Sequence, residues 1–505
     1  MFAGAALYPA AVARRSAAAS GPERSAAEIR AGVVPTDYSF TYGDVRRYGM
    51  SVVAAPEAND AALRRCLNAS AGAATVTIPG ADAEYRLSGR ITAPAGTAIA
   101  LGSGATLRWV ATEVSPSALL GTPCRPGIEV MGGDFRLTGN GRLIGPSAGQ
   151  YVPNETGILC LGESATALRS GITIADGVEL SGWGSRAILL QFVSDVQVSR
   201  VRIRNCGYAG MQFLSCRRGQ IRSNVVGEIG PGTSGNAYGI SCTHDSRNYS
   251  ADPNAADNGR NVAHPFCSDF DVAYNTVYDI PLWVGVDFHG AYDCHARNNS
   301  VFNCCHGVLL QGSSGDAVGF GGENNEVIGN SATTRRMNGD PTTVTAVPRL
   351  GISINGGARV RHRAVTVRGN TIDGFGDNQH TSFSLQHTYT SAVDISANRV
   401  SDWRGYGCYS HHSDGVIRDN QFDAVADSTG TACVFVAIDG QLKILRNRLL
   451  VDGGRAPQYG VYINNPADPP YVIAGNDFTS ATVQQYASHN GVRLSPAQIV
   501  GGRPG

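Results

Sequence analysis

Short runs of alternating apolar and polar residues recur through most of the chain, and each begins at Gly, Ser or Cys. In residues 285–289, Val286 and Phe288 alternate with Asp287 and His289, which is the period of a strand with one buried and one wet face. We therefore expect Val286 and Phe288 to point inward and the two polar side chains to point outward. Runs of this form begin at positions 239, 285, 307, 351, 382, 407, 433 and 460.

A second recurring phrase, apolar-x-x-Asn-x-apolar, separates these runs. Its asparagines are 22 to 29 residues apart in most of the later repeats, and a repeat of this length built from short strands is typical of a parallel β-helix. Asparagine tolerates left-handed backbone at a bend, and stacked amides can bond along the helix axis. We therefore interpret these residues as scaffold; they are Asn224, Asn275, Asn299, Asn330, Asn370, Asn398, Asn420, Asn447 and Asn476.

The N-terminal part follows a different pattern. Asn59 and Asp60 offer a helix cap ahead of residues 61–71, and residues 74–80 predict a strand ended by a Pro-Gly turn. Together with Asp-Val-x-x-Tyr-Gly from position 44 and Tyr-x-Leu from position 85, this order resembles the N-terminal cap of the pectate-lyase-like β-helix superfamily. That superfamily includes phage tailspikes, polysaccharide lyases and glycosidases. The resemblance implies an all-β fold, a right-handed parallel β-helix with an N-terminal capping helix that covers the open end of the core.

These patterns divide the chain into four parts. Residues 1–35 are predicted to be the remnant of an export signal and a loose leader, 36–110 the N-terminal cap and first coils, 111–485 the parallel β-helix, and 486–505 a C-terminal tail. The apolar stretch 2–13 resembles the end of an export signal that lacks its basic start, so we expect a secreted or periplasmic protein. The alternative is a disordered alanine-rich leader. Insertions at 245–267, 313–325 and 333–349 predict loops beside the coil that carries Asp287.

The amino-acid composition limits the kinds of partner that we expect the protein to bind. The 505 residues carry a formal charge of zero and no basic block, which argues against a nucleic acid, and no segment beyond the leader is apolar enough to span a membrane. Lys443 is the only lysine, so cationic chemistry falls to arginine. Twelve cysteines form neither a disulfide framework nor a zinc motif, although Cys242 and Cys267 bracket the first insertion and could clasp it. No cofactor or metal is expected, and the protein is expected to be a monomer or a homotrimer.

The residues two and four positions after each small residue form two outward columns. Adjacent coils lie about 4.8 Å apart, so the columns should make one polar floor that suits a sugar chain. The first column is Ser241, Asp287, Leu309, Ser353, Ser384, Tyr409, Phe435 and Tyr462, and the second is Thr243, His289, Gln311, Asn355, Gln386, His411, Ala437 and Asn464. The predicted catalytic residues are Asp287, His289, Tyr409 and His411. The predicted substrate-binding residues are Gln311, Asn355, Gln386, His387, Arg335 and Arg404.

The central coil and the one after it, residues 285–289, 298–301 and 306–309, resemble the Asp-Pro-His segment of mannuronan C5-epimerases and related alginate lyases. In that family the Asp and the His lie in the groove, and the His is proposed to handle the proton at C5 of the sugar. Two departures are visible in this chain: Phe288 stands in place of Pro, and Gly290 in place of an acidic residue. The resemblance therefore implies a class of mechanism and leaves the substrate open.

Removing the C5 proton of a uronate requires neutralisation of its carboxylate and a base that titrates near neutral pH. Gln311 or Asn355 with a loop arginine could hold the carboxylate, His289 or His411 could be the base, and Tyr409 the acid. The expected function is a secreted lyase or C5-epimerase that acts on a uronate polysaccharide.

Two other functions stay open. A glycoside hydrolase needs a second carboxylate. Asp287 is the only carboxylate in the two columns, but the insertion at 245–267 could supply a second one from Asp245, Asp252 or Asp257. A non-catalytic, tailspike-like β-helix that binds glycans is the other alternative.

Overall fold

The computed structural model describes residues 23–119, 122–230, 236–244, 265–312, 320–334, 350–357, 360–376, 383–425, 429–437, 441–453, 455–464, 471–488, 492–493 and 499–500. Within these residues short parallel strands stack into successive coils, and the regular helices lie near the N-terminus. The predicted fold class, a right-handed parallel β-helix with an N-terminal helix, is confirmed.

Each coil has three sides. One side is a sheet of fifteen strands in the described residues, and the other two sides form a sheet of twenty-six strands. The fifteen-stranded sheet consists of Thr75–Ile78, Ala98–Leu101, Arg136–Gly139, Arg169–Ala175, Val193–Ser199, Arg217–Arg222, Ser268–Ala273, His295–Arg297, Glu326–Ile328, Thr366–Arg368, Val393–Ser396, Gly415–Arg418, Leu442–Leu445, Tyr471–Ala474 and Ile499–Val500.

The second side consists of Tyr85–Leu87, Thr106–Trp109, Arg142–Ile144, Glu179–Ser181, Arg202–Cys206, Val225–Ile229, Ser331–Thr333, Thr371–Asp373, Arg399–Ser401, Gln421–Ala424 and Arg448–Val451. The third side, called the site face below, consists of Ile91–Ala93, Arg125–Val130, Glu155–Leu161, Arg186–Gln191, Ala209–Leu214, Tyr238–Thr243, Leu350–Asn355, Phe383–Thr388, Arg404–His411, Thr429–Val436, Tyr459–Ile463, Gln484–Ser488 and Val492–Arg493. Two long strands run through both sides, Thr276–His289 and Ser300–Gln311.

Two short strand pairs lie outside these sides. His362–Arg363 is parallel to Thr390–Ser391, and Ala118–Leu119 is antiparallel to Thr122–Pro123.

The core is built from apolar side chains that stack from coil to coil. Val286 pairs with Ile240 on one side and Val308 on the other, and all three are buried. Phe288 occupies the next inward position and is also fully buried. The alternation predicted for residues 285–289 is therefore correct, and each such side chain contributes about 1.5–3 kcal/mol of hydrophobic stabilisation.

The nine asparagines form one continuous ladder. The Nδ2 of each of the first eight donates to the Oδ1 of the asparagine in the next coil, for example Asn224 to Asn275 at 2.9 Å and Asn420 to Asn447 at 2.9 Å. The left-handed residue at each bend is the one before the asparagine, as at Ser223 with φ 57° and Asp419 with φ 56°. The structural role is thus correct, but the asparagines themselves are not the left-handed residues.

The N-terminal cap contains the helices Ala26–Arg30 and Pro56–Ser70 and the 3₁₀ helix Val45–Tyr48. The long helix begins at Pro56, earlier than predicted, because proline is already set for the first helical position. Asn59 lies inside the helix, where its Nδ2 donates to the backbone oxygens of Ser51 and Arg86. Asn59 therefore ties the helix to the first coil and does not cap it.

The predicted leader and tail boundaries differ from the structure. Residues 1–22 lie outside the described part, but residues 23–35 include a helix whose Glu28 is fully buried. Burial opposes ionisation of Glu28, yet hydrogen bonds from Arg47, the Ser25 backbone and Tyr48 lower its pKa to about 2. This segment is therefore anchored and not loose. At the other end Ile499–Val500 pairs with Tyr471–Ala474, so strand structure continues into the predicted tail.

All twelve cysteines are free and buried, so the suggested clasp between Cys242 and Cys267 is wrong. The sulfur of Cys267 lies instead against Cys216, 3.4 Å from its backbone nitrogen. No helix in the described part of the chain is both long and apolar enough to cross a membrane.

Candidate active site

The outward side chains of the site face form three columns, one more than predicted. The first runs through Arg186, Ala209, Tyr238, Val284, His306, Leu350, Phe383, Tyr406, Ala432 and Tyr459. The second runs through Leu189, Gln212, Ser241, Asp287, Leu309, Ser353, Gln386, Tyr409, Phe435 and Tyr462. The third contains Leu214, Thr243, His289, Gln311, Asn355, Thr388 and His411.

Asp287 and His289 form a carboxylate–imidazole pair. Asp287 is fully buried although it lies on the outward side. Its Oδ2 accepts a hydrogen bond from Ser241 Oγ at 2.9 Å and lies 3.6 Å from Nδ1 of His289. Its Oδ1 has no hydrogen-bond partner among the described residues, and an unsatisfied buried acceptor costs about 1–3 kcal/mol. Such a cost is commonest where a group serves binding or catalysis.

His289 lies among aromatic rings that come from the ends of two insertions. Its ring centroid is 6.0 Å from that of His244 and 5.3 Å from that of Phe320. Phe320 in turn lies 5.0 Å from Phe266. Phe266 lies near the end of the first insertion and Phe320 lies in the second, so the described ends of these segments meet beside His289. The side chain of His289 remains 21% exposed.

Gly290 explains one departure from the epimerase-like pattern. Its φ of 66° is left-handed, and a side chain at this position would collide with the ring of Phe266. An acidic residue after the histidine is therefore incompatible with the aromatic cover of this site.

Arg186 provides a cation whose neighbours do not neutralise it. It is buried, and its guanidinium donates to three uncharged partners: Gln212, Asn154 at 3.3 Å and Ser185 at 2.9 Å. The guanidinium carbon also lies 4.7 Å from the ring centre of Tyr208. Burial lowers the pKa of Arg186. An anion that entered beside it would compensate its desolvated charge.

Two tyrosines stand between Arg186 and Asp287. The ring of Tyr208 packs edge-on against that of Tyr238 at 5.5 Å. Burial raises the pKa of Tyr208, Arg186 acts against that rise, and Asp287 adds to it. Tyr208 is therefore a neutral hydrogen-bond donor at ordinary pH.

These groups share one cleft of about 190 Å³. Asp287 is the single carboxylate among the described residues that line it. The lining residues are Leu119, Arg186, Tyr208, Gln212, Leu214, Tyr238, Ser241, Thr243, His244, Asp287 and His289. Sequence reasoning missed Arg186, Tyr208, Gln212 and Tyr238. The run Gly210-Met211-Gln212 continues the aligned repeat one coil upstream and would have indicated Gln212.

Some predicted site residues do come together. Gln311 pairs with His289 in the adjacent strand, and Asn355 pairs with Gln311 one coil further on. Gln311 donates to the Gly312 oxygen at 2.8 Å, and Asn355 accepts from Thr388 at 2.8 Å. These amides extend a hydrogen-bonding track away from His289.

His411 and Tyr409 do not belong to the same cluster. Four strand steps separate His411 from His289, which corresponds to about 19 Å. Tyr409 is equally far from Asp287 along the second column. One sugar therefore cannot contact His289 as base and Tyr409 as acid. Burial and the neighbouring His412 lower the pKa of His411.

The register near residue 384 differs from the prediction. Ser384, not Ser382, takes the small-residue position, so Gln386 falls in the second column and Thr388 in the third. A shift of two residues preserves which side chains face outward, which is why Gln386 still lies on the site face. His387 was expected near the groove, but it points into the core. It is fully buried, and burial lowers its pKa to about 3.

The two predicted arginines are not among the described residues that line the cleft. Arg404 is exposed at the start of Arg404–His411, in the coil of Tyr409. Arg335 lies outside the described residues, as do Asp245, Asp252 and Asp257. Among the described residues no group of three or more His, Cys, Asp and Glu side chains could hold a metal ion.

Beyond Asn355 the outward face becomes an aromatic ladder, defined as Phe383, Tyr406, Tyr409, Phe435 and Tyr462. Its rings stack on one another, with centroids 4.2 Å apart for Phe383 and Tyr409 and 4.0 Å apart for Tyr406 and Phe435. Because these rings cover one another's faces, little aromatic face is left for a sugar.

Comparison with known proteins supports the fold. Residues 156–333 match the family described as Right handed beta helix region, and no protein of curated function matches the chain. The N-terminal fragment of bacteriophage phi29 gene product 12 has a TM-score of 0.58 at 13% identity, with 90% of this chain and 74% of that chain covered. The pre-mature form of the same protein has a TM-score of 0.56 at 13% identity, with 90% of this chain and 58% of that chain covered.

A tailspike protein of E. coli bacteriophage HK620 in complex with pentasaccharide has a TM-score of 0.47 at 11% identity, with 89% of this chain and 77% of that chain covered. At 13% identity the likeness to the phi29 protein shows the fold alone. The chain thus has the right-handed parallel β-helix fold and carries a polar cleft on one face.

Proposed function

We propose that the protein is a polysaccharide lyase or C5-epimerase that acts on a uronate-containing polysaccharide. The observation that carries this proposal is the placement of the Asp287–His289 pair and the uncompensated guanidinium of Arg186 in one cleft. A uronate combines a carboxylate, which suits Arg186, with an acidic C5–H, which suits an imidazole base. The predicted secreted or periplasmic location accords with a polymeric substrate outside the cytoplasm.

Each residue has a role that follows from its position. Nδ1 of His289 faces Asp287 Oδ2 across 3.6 Å, so Nε2 is the nitrogen available as base. Arg186 and Gln212 bind the substrate carboxylate and stabilise the negative charge that develops when C5 loses its proton. Tyr208, kept protonated by burial, or the adjacent Tyr238 supplies a proton. Gln311 and Asn355 bind sugars further along the face.

The reaction balances without a co-reactant. The C5 proton passes to His289, and the electron pair it leaves is delocalised into the carboxyl group. In elimination that pair forms the C4–C5 double bond while the C4–O bond breaks and the leaving oxygen takes a proton from tyrosine. In epimerisation the same carbanion takes a proton at C5 from the opposite face, and no bond of the chain is cut.

The hydrolytic alternative requires two carboxylates, about 5–5.5 Å apart for retention or about 6.5–9.5 Å apart for inversion. The described lining of the cleft offers Asp287 alone, which favours proton abstraction. The desolvated Asp287, with one oxygen unpaired, likewise favours catalysis over simple glycan binding.

The test is incubation with polymannuronate, polyguluronate, polygalacturonate and a neutral glucan. A lyase gives new ultraviolet absorbance from the unsaturated product with uronates only, and an epimerase gives altered NMR signals at C5 without shortening. New reducing ends without that absorbance would establish hydrolysis. Binding without any chemical change would establish the adhesin-like alternative. The His289→Ala variant, which lacks the proposed base, is the matched negative control for each of these measurements.

A further inference from the structure

The strand that carries Asp287 contains a bulge next to the cleft. Ile280 pairs with Cys304 and Val284 pairs with His306, so three residues of one strand oppose a single residue of the other. Pro281 suits this position because it has no N–H to contribute to the ladder. Bulges of this kind re-aim side chains beside functional sites. Here the residue just before the strand regains its register is Trp283.

Trp283 differs from every other tryptophan in the chain. Trp109, Trp183 and Trp403 are 1%, 0% and 0% exposed, whereas Trp283 is only partly buried. It packs on the outward cluster that includes Tyr238, Val284 and Leu309. Trp283 is a large apolar ring on the outer face, four residues before Asp287, the buried carboxylate to which we give a catalytic role. Core packing does not explain this position.

The orientation of Trp283 leaves it suited to stacking. Its ring meets the His306 ring at 4.6 Å and 89°, and within the described residues this perpendicular contact is its one ring contact. In the aromatic ladder, by contrast, neighbouring rings are nearly parallel, 4.2 Å and 5° for Phe383 and Tyr409. His306 therefore buttresses Trp283, whereas the ladder rings cover one another.

We propose that Trp283 is the stacking platform for a sugar next to the one that reacts in the cleft. A pyranose has one face of C–H groups, which packs on an indole ring while the hydroxyls bond to polar groups. Trp283 lies at most about 13 Å from Asp287 along the strand and is not among the described residues that line the cleft. The platform therefore takes a neighbouring residue of the polymer. This assignment rests on the proposed glycan substrate and adds a binding subsite to it.

Intrinsic fluorescence isolates Trp283, because iodide cannot reach the three buried tryptophans. The experiment uses the His289→Ala protein, which binds without turnover, and short oligomannuronate and oligogalacturonate as probes. Calorimetry measures binding on the same samples. We expect that a bound oligomer shields the quenchable fraction, that Trp283→Ala raises its Kd about tenfold, and that Trp283→Phe retains most of the affinity. The Phe variant also keeps the packing if the Ala variant is poorly folded.

The outcomes separate the two proposals. A probe that binds by calorimetry while iodide quenching is unchanged overturns the platform and leaves the proposed function standing. If Trp283→Ala leaves the Kd of the His289→Ala protein unchanged, the platform is likewise overturned and the proposed function stands. If neither probe binds and none of the uronate polymers is altered by the wild-type protein, the proposed function fails and the platform fails with it.

Discussion

The site face contains two regions built on different strands of the same sheet, in the same outward columns, and they use their outward positions in opposite ways. The cleft, around Arg186, Gln212, Asp287 and His289, gathers charged and polar groups, and the buried Asp287 keeps one oxygen without a hydrogen-bond partner among the described residues. The aromatic ladder lies about four coils further along the face, and its rings stack against one another. The outward columns of a β-helix can therefore serve chemistry in one stretch and stability in the next.

The two regions contribute to the free energy of folding with opposite signs, because the cleft leaves polar groups without full compensation and the ladder buries apolar rings. The free Oδ1 of Asp287 and the uncompensated charge of Arg186 oppose folding. The buried rings of Phe383, Tyr406 and Phe435 favour it. Mutations should thus separate the regions cleanly: changes in the cleft should affect turnover, and changes in the ladder should affect the free energy of unfolding.

The largest effect is expected at His289. His289→Ala should lower kcat by about 10²- to 10⁴-fold, the usual contribution of a positioned base, with little loss of stability because the side chain is partly exposed. Steady-state assays on the uronate that reacts would measure it. His411→Ala is the matched variant from the other end of the track and should stay near wild type. The reverse result, loss at His411 alone, would move the active site to the ladder.

The next effect is a stability change in the ladder. Phe435 is 8% exposed and stacks on Tyr406 at 4.0 Å and Tyr462 at 5.5 Å. Phe435→Ala should reduce the free energy of unfolding by about 3 kcal/mol, measured by urea titration, while kcat of the folded fraction is unchanged. Tyr462→Phe keeps the stack and serves as the control. A large fall in kcat with intact folding would mean that the ladder takes part in catalysis.

A third effect concerns substrate charge. Arg186→Gln should raise KM for a uronate oligomer by about 10- to 100-fold, since a charge-assisted hydrogen bond contributes about 1.5–3 kcal/mol. Arg186→Lys should recover part of this loss, because it restores charge without the planar fork. Unchanged KM values in both variants would show that Arg186 is structural and that the carboxylate binds elsewhere.

The fold could be predicted from the sequence because it is periodic. Alternation at 285–289 and the spacing of the asparagines reflect the same stacking geometry in every coil, so a local pattern repeats until it is unambiguous. The errors in the predicted boundaries between parts of the chain arise where no repeat constrains the prediction. Glu28 is anchored by Arg47, 19 residues away, and the bulge before Val284 appears only when two strands are paired.

The site could be predicted only in part. Asp287, His289, Gln311 and Asn355 follow from the register of consecutive runs and do lie in adjacent strands. Arg186 belongs to an earlier coil whose run begins at Ala187, and Tyr208 comes two residues before the Gly210 that begins its run, so neither falls at a predicted outward position. His387 was misplaced because the end of its strand depends on pairing with Leu350–Asn355, which the pattern in one strand does not reveal.

The last effect, which is small at neutral pH, is the pH dependence of stability that comes from two buried histidines. His387 lies in the core under the ladder, and burial lowers its pKa from 6.5 to about 3. The buried His362 accepts from the Gly322 amide, and burial and His289 lower its pKa to about 4. Both pKa values are depressed, so the unfolded chain binds more protons below pH 6.5. The stability that each neutral histidine provides is complete above that pH and is lost as the pH falls toward the folded pKa.

Each histidine should contribute a slope of up to about 1.4 kcal/mol per pH unit in this window. His387→Gln should flatten the fall in Tm between about pH 6.5 and pH 3, and His362→Gln should flatten it over a window that ends about one unit higher. Thermal unfolding at a series of pH values would measure both, with a buffer-matched wild type. Parallel curves for the wild type and His387→Gln would show that His387 is charged in the fold or reached by water. The core beneath the ladder would then be as polar as the wall of the cleft, and the contrast between the two regions would be confined to their surfaces.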